Sequence, residues 1–100
     1  MSVRAVRRIQ LKSAIRIESV PGAAKSLRVR IVNGSDHVLT LSVRSRVPGM
    51  AERLDVVPDL APGSGSRTFD FPAAERGTAE IFVRESGGER AVARRLIPLP

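Results

Sequence analysis

The chain has no cysteine, no tryptophan and no tyrosine, and only three phenylalanines and one histidine among its 100 residues. Without cysteine, disulfides, thiolate zinc sites, cysteine-ligated iron–sulfur clusters and thiol catalysis are excluded. No apolar run approaches the length of a membrane span. The start of the chain lacks the apolar stretch of a signal peptide, because Arg4, Arg7 and Arg8 interrupt it, so export through the general secretory route is not expected. Lysine is scarce as well. The basic side chains are fifteen arginines with only Lys12 and Lys25, a bias that either a skewed genome or selection for bidentate contacts produces.

What is present is sufficient for one domain. A hydrophobic content of 42% is too high for disorder driven by charge, and the length allows a modest core. The net charge of +7 is distributed unevenly. Residues 1–30 carry eight basic groups against Glu18, residues 31–89 carry six against nine acidic ones, and Arg90, Arg94 and Arg95 close the chain. The sequence therefore reads as a mildly acidic body with basic ends.

The hydrophobic pattern is that of strands. Leu27, Val29 and Ile31 alternate with Arg28 and Arg30, and Leu39, Leu41 and Val43 alternate with Thr40, Ser42 and Arg44. Asn33-Gly34-Ser35-Asp36 between them has strong turn chemistry, so the two runs are expected to form a hairpin. An earlier strand holds Ile15 and Ile17 and ends at Val20-Pro21-Gly22. Leu54-Asp55-Val56 alternates, Phe69 and Phe71 share a face, and Ala79, Ile81 and Val83 alternate with Glu80, Phe82 and Arg84. After Ser86-Gly87-Gly88 a last strand runs from about Arg90 to Ile97, before Pro98 and Pro100 end the pattern. Seven or eight short strands with evenly spaced turns and no interior helix predict an all-β, antiparallel sandwich of immunoglobulin-like type. The expected division is a basic N-terminal arm or extension of the first strand over 1–12 and the sandwich over 13–100. Residues 2–12 fit a strand, a helix or an extended arm; their β-branched content favours the extended forms.

From Ser26 to Leu99 the chain resembles bacterial immunoglobulin-like and fibronectin-like domains. The resemblance is carried by the Leu27–Asp36 strand and turn, by Leu60-Ala61-Pro62-Gly63-Ser64, and by Gly77-Thr78-Ala79-Glu80-Ile81-Phe82-Val83. The antibody-type Trp and Cys pair are absent, and Ala79 stands where an aromatic is common. The resemblance implies a β-sandwich and assigns no ligand site, because this architecture hosts adhesion, spacer, carbohydrate-associated and virion-surface modules alike.

Chemistry-bearing residues are sparse. His37 follows Asp36 at a predicted turn, with no orienting third group for a general base and no further ligands for a metal. Glu52, Asp55 and Asp59, with Asp36 and Asp70, lack the spacing of a calcium loop and read as solvated faces. Pro62-Gly63-Ser64-Gly65-Ser66 lacks the lysine and helix of a phosphate loop. No catalytic, cofactor or metal residue is expected, and no enzyme.

The basic ends are the feature with functional content. Arg4, Arg7, Arg8, Lys12, Arg16, Arg90, Arg94 and Arg95 are the candidate partner-binding residues. As a phosphate-neutralising arm they would give salt-dependent nucleic-acid binding, although the chain lacks the aromatic platform for stacking bases. As an amphipathic helix they would favour an anionic membrane. As an added strand they would dock on an acidic protein, and as plain edge charges they would discourage aggregation. The favoured expectation is a non-enzymatic structural or interaction module. Its partner would be a larger assembly with an acidic surface, such as capsid or tail proteins of a bacterial virus, with homo-oligomerisation open and a virion location. A cytoplasmic bacterial adaptor or spacer and a nucleic-acid-binding module are the alternatives.

Overall fold

The computed structural model describes residues 14–20, 24–86 and 93–99. Among these it is all β. The strands are β1 (Ile15–Val20), β2 (Ser26–Asn33), β3 (Leu39–Arg46), β4 (Arg53–Leu60), β5 (Gly65–Pro72), β6 (Gly77–Glu85) and β7 (Ala93–Leu99). They form two antiparallel sheets, a three-stranded one ordered β1-β2-β5 and a four-stranded one ordered β4-β3-β6-β7. The proposed arm over 1–12 lies outside the described residues.

Alternation explains the layering. Leu27, Val29 and Ile31 of β2 turn inward to meet Leu41, Val43, Ile81 and Val83 of the other sheet in one buried cluster. Phe71 of β5 is buried with them, and Phe69, half-buried, stacks 6.4 Å away ring to ring.

The expected β2–β3 hairpin does not form. β2 pairs with β1 and β5, whereas β3 pairs with β4 and β6. The segment between them instead crosses from one sheet to the other, and Asn33 fixes the crossing. This fully buried side chain donates from Nδ2 to the carbonyls of His37 (2.8 Å) and Leu60 (2.9 Å). Its Oδ1 accepts from the backbone N–H and the hydroxyl of Ser35 at 2.9 and 2.6 Å. Asn, Gly, Ser and Asp serve a sheet-to-sheet crossing as readily as a hairpin, because both need local side-chain-to-backbone hydrogen bonds.

The second difference concerns β4. Leu54 and Val56 face solvent, 69% and 62% exposed, while Arg53 and Asp55 turn toward the gap between the sheets. Arg53 can do so because its guanidinium lies over the rings of Phe71 (5.0 Å) and Phe69 (5.8 Å), and its Nε is 2.9 Å from Asp55 Oδ2. Toward its end β4 is irregular. The register with β3 shifts between Leu39 and Leu41, Asp59 adopts a positive φ of 49°, and its N–H donates to Thr40 Oγ1 at 3.2 Å.

Candidate functional site

The two outer faces of the sandwich differ in chemistry. On the three-stranded sheet three arginines meet two acids: Arg28 Nε is 2.7 Å from Asp70, while Arg16 and Arg30 share Glu18 at 3.4 and 3.7 Å. The ion pair with Asp70, through its hydrogen bond first and its charge second, raises the Arg28 pKa further above its ordinary value.

The four-stranded sheet has a cationic excess. Register places Arg44 of β3 between Leu54 of β4 and Phe82 of β6, and Phe82 beside Arg94 of β7. One row on, Arg46 faces Glu80, which faces Leu96; in the other direction Ser42 lies between Val56 and Arg84. Four arginines thus share this face with Glu52 and Glu80. Glu52 accepts a 2.8 Å hydrogen bond from Arg46 Nε and lies 3.6 Å from Arg44, and Glu80 pairs with Arg94 and, at 3.8 Å, with Arg46. The hydrogen bond from Arg46 holds the Glu52 carboxyl below the usual carboxylate range against partial desolvation, with the charges of Arg46 and Arg44 adding to it. The reciprocal bond raises Arg46.

These acids orient the guanidinium groups of Arg44, Arg46 and Arg94 without exhausting them. Each guanidinium has five N–H donors, and the acids engage only part of that set. Arg44, Arg46, Glu80 and Arg94 surround the half-buried Phe82 in a shallow hollow of about 240 Å³. A second hollow of about 390 Å³ adjoins it across Arg46, lined by Val47, Pro48, Gly49, Met50, Glu52 and Thr78. The face therefore offers cationic donors beside apolar surface, a combination that suits a carboxylate-bearing protein surface.

The predicted site residues are dispersed. Arg94 belongs to this face. Arg95, its neighbour, points the other way and donates from Nη1 to the Ile17 carbonyl at 2.7 Å, tying β7 to β1. Arg16 lies on the opposite outer face beside Glu18. Arg4, Arg7, Arg8, Lys12 and Arg90 lie outside the described residues. The sequence reading missed Arg44, Arg46 and Arg84. Their signal was Phe82, an aromatic at a polar-face position flanked by Glu80 and Arg84.

The other candidates do not assemble. His37 and Asp36 are 3.0 Å apart, but both side chains are exposed. Among the described residues no three His, Cys, Asp or Glu side chains converge on a point that could hold a metal ion.

No family model matches the chain, and no curated protein matches it. Solved structures do. A variant of the superoxide reductase (neelaredoxin) from Archaeoglobus fulgidus, in its reduced form, is similar to 88% of this chain and 91% of its own, with a TM-score of 0.59 at 12% identity. A variant of the superoxide reductase from Ignicoccus hospitalis is similar over 99% of this chain and 89% of its own, with a TM-score of 0.57 at 15% identity. At such identities the likeness establishes a shared sandwich fold.

It also corrects the expectations drawn from the immunoglobulin-like and fibronectin-like resemblance. The neighbours found are superoxide reductases, and alternation with turn signals, which carried the resemblance, is common to antiparallel sandwiches of differing connectivity. The expectation of a non-enzymatic structural module, whether virion accessory protein, capsid decoration, adaptor or nucleic-acid-binding domain, is likewise corrected: the structural neighbours found are superoxide reductases, which are enzymes, and none of them is a virion protein.

Proposed function

We propose that the outer face of the four-stranded sheet binds an acidic protein partner. The observation that carries this reading is the cluster of Arg44, Arg46 and Arg94 around Phe82, with Arg84 one row away and, among the described residues, Glu52 and Glu80 as counter-charges. The guanidinium groups of Arg44, Arg46 and Arg94 are each held in place by a carboxylate, which lowers the entropy lost when they engage a second one. The opposite face has three arginines against two acids, a smaller excess, with no aromatic hollow at its centre among the described residues.

The activity named for the structural neighbours, reduction of superoxide, is a one-electron step and needs a redox-active centre. Protein-held transition metals of that kind take imidazole, thiolate or clustered carboxylate ligands. Here one histidine is present and no cysteine. His37 has only Asp36 beside it at 3.0 Å, and no ligand cluster forms among the described residues. The donor set does not fit such a centre.

The test uses fluorescently labelled poly-L-glutamate as the acidic probe, with anisotropy as readout. Replacing Arg44 and Arg94 together by Ser is expected to weaken binding about tenfold, while R28S/R30S on the opposite face leaves it nearly unchanged. Equal losses from both pairs would show diffuse attraction to net charge and remove the reading.

A further inference from the structure

The basic face does not account for Leu54 and Val56. They are the two most exposed large hydrophobic residues among those described, and they stand on an edge strand. Edge strands are usually blunted against pairing. On β7 the blunting is Pro98 and the Arg95 link to β1, which also occupies the Ile17 carbonyl of the β1 edge. On β5, Ser66, Thr68 and Asp70 face solvent and Pro72 ends the strand. In β4 Pro58 and the irregularity at Asp59 blunt the far end, and the inward charges Arg53 and Asp55 offset one another at 2.9 Å, so that among the described residues Arg53 to Val57 has no neighbour on its outer edge and carries Leu54 and Val56 on its solvent side.

The geometry points to a second copy of this chain as the occupant of that edge, paired antiparallel about Leu54 so that the two four-stranded sheets join into one. A two-fold axis normal to the sheet requires some residue to face its own copy. Centring on Asp55 sets two carboxylates together, and centring on Arg53 sets two guanidinium groups together. Centring on Val56 brings Pro58, which has no N–H, opposite Leu54. Centring on Leu54 instead places Leu54 against Leu54 and Arg53 against Asp55 twice, once on each side of the axis. Sequence and facing agree with that register, since Arg53 and Asp55 share the inner side of the strand and Leu54 and Val56 the outer. Opposite charges and apolar pairs directly across a ladder are the favourable cases, and like charges the unfavourable one. The joined sheet would carry Leu54 of both copies at its centre, with Val56 of each copy facing Glu52 of the other, flanked by two arginine clusters. The interface is short, below the ~1,200–2,000 Å² of stable complexes, so association depends on concentration.

The absence of cysteine makes the register directly testable. In L54C the two thiols stand on residues whose Cα atoms are about 4.5–5.5 Å apart, within disulfide reach. In V56C each thiol lies opposite residue 52 of the other copy, so the two are four residues out of register, ~13 Å apart. Oxidation is expected to give covalent dimer from L54C and little from V56C. By sedimentation equilibrium the wild-type protein is expected to dimerise as concentration rises, and R53E and D55R each to weaken this about tenfold or more. An equimolar mixture of R53E and D55R restores opposite charges at both positions and is expected to form the heterodimer, which a folding defect in either variant would not produce. A wild-type protein monomeric at millimolar concentration, cross-linking of V56C as readily as L54C, or a mixture that stays monomeric would each overturn the proposal.

Discussion

Arg95 reaches across the open side of the sandwich to the carbonyl of Ile17, 78 residues away in sequence, and among the described residues this side-chain hydrogen bond joins β7 to β1. Its neighbour Arg94 faces outward and pairs with Glu80. Adjacent arginines thus divide between holding the fold and dressing its surface, as side-chain alternation along a strand requires.

That division predicts different outcomes for the two. R95A should lower unfolding stability by about 1 kcal/mol, since it removes a charge-assisted hydrogen bond at a partly solvated position. R94A should change stability by less than about 0.5 kcal/mol. Urea unfolding followed by far-UV circular dichroism checks both; the absence of Trp and Tyr leaves little intrinsic fluorescence to follow.

Asn33 is the costlier polar residue to remove. N33A takes the Asn33 amide from the buried carbonyl of Leu60 and the backbone N–H of Ser35, while the Ser35 hydroxyl, 3.0 Å from the His37 carbonyl, can still donate there, and a loss of about 2 kcal/mol or more is expected. A loss under about 1 kcal/mol would mean that water or a local shift replaces these bonds.

Two neighbouring glycines should respond unequally to alanine. A Cβ on Gly65 would stand 2.2 Å from the Ala61 carbonyl oxygen, a backbone atom, so G65A forces the turn apart and should cost about 2 kcal/mol or more. Gly63 has a positive φ of 69° but open space around it, so G63A should cost only the left-handed backbone penalty of about 1 kcal/mol. Thermal midpoints of the two variants, measured side by side, test the ordering.

Glu52 should contribute to the acid limb of stability. Its carboxyl is held below the ordinary value, so the stabilisation is fully present above the unfolded value of about 4.3 and is lost as pH falls through the lower folded value. The urea midpoint of the wild type should therefore fall between about pH 5 and pH 3 more than that of E52Q. Parallel curves for the two proteins would show that the Arg46–Glu52 bond is too solvated to matter.

The strands were legible in the sequence because burial writes itself as alternation: Leu27, Val29 and Ile31, and again Ala79, Ile81 and Val83, turn inward as their spacing requires. Pairing was not legible. Nothing in Leu27 names Phe71 as its cross-strand partner, and the turn chemistry of Asn33 to Asp36 fits either a hairpin or a crossing. β4 was misleading for a physical reason, since the aromatic rings of β5 let Arg53 lie inward and leave Leu54 and Val56 outside. The arginine face was hidden likewise. Arg44, Arg84 and Arg94 are far apart in sequence, and only the register of three strands makes them neighbours, whereas charge counting drew attention to the ends.

The interleaving of the two sheets also dictates when the chain can fold. β2 sits between β1 and β5, so the smaller sheet is incomplete until residue 72 is free to pair, and β7 closes the larger one only once residue 99 is available. Apart from β1–β2, β3–β4 and β6–β7, ladders wait on segments made much later. During synthesis the ribosome therefore releases local hairpins, not a growing sandwich, and assembly is a late, slow event on the millisecond-to-second scale of such topologies.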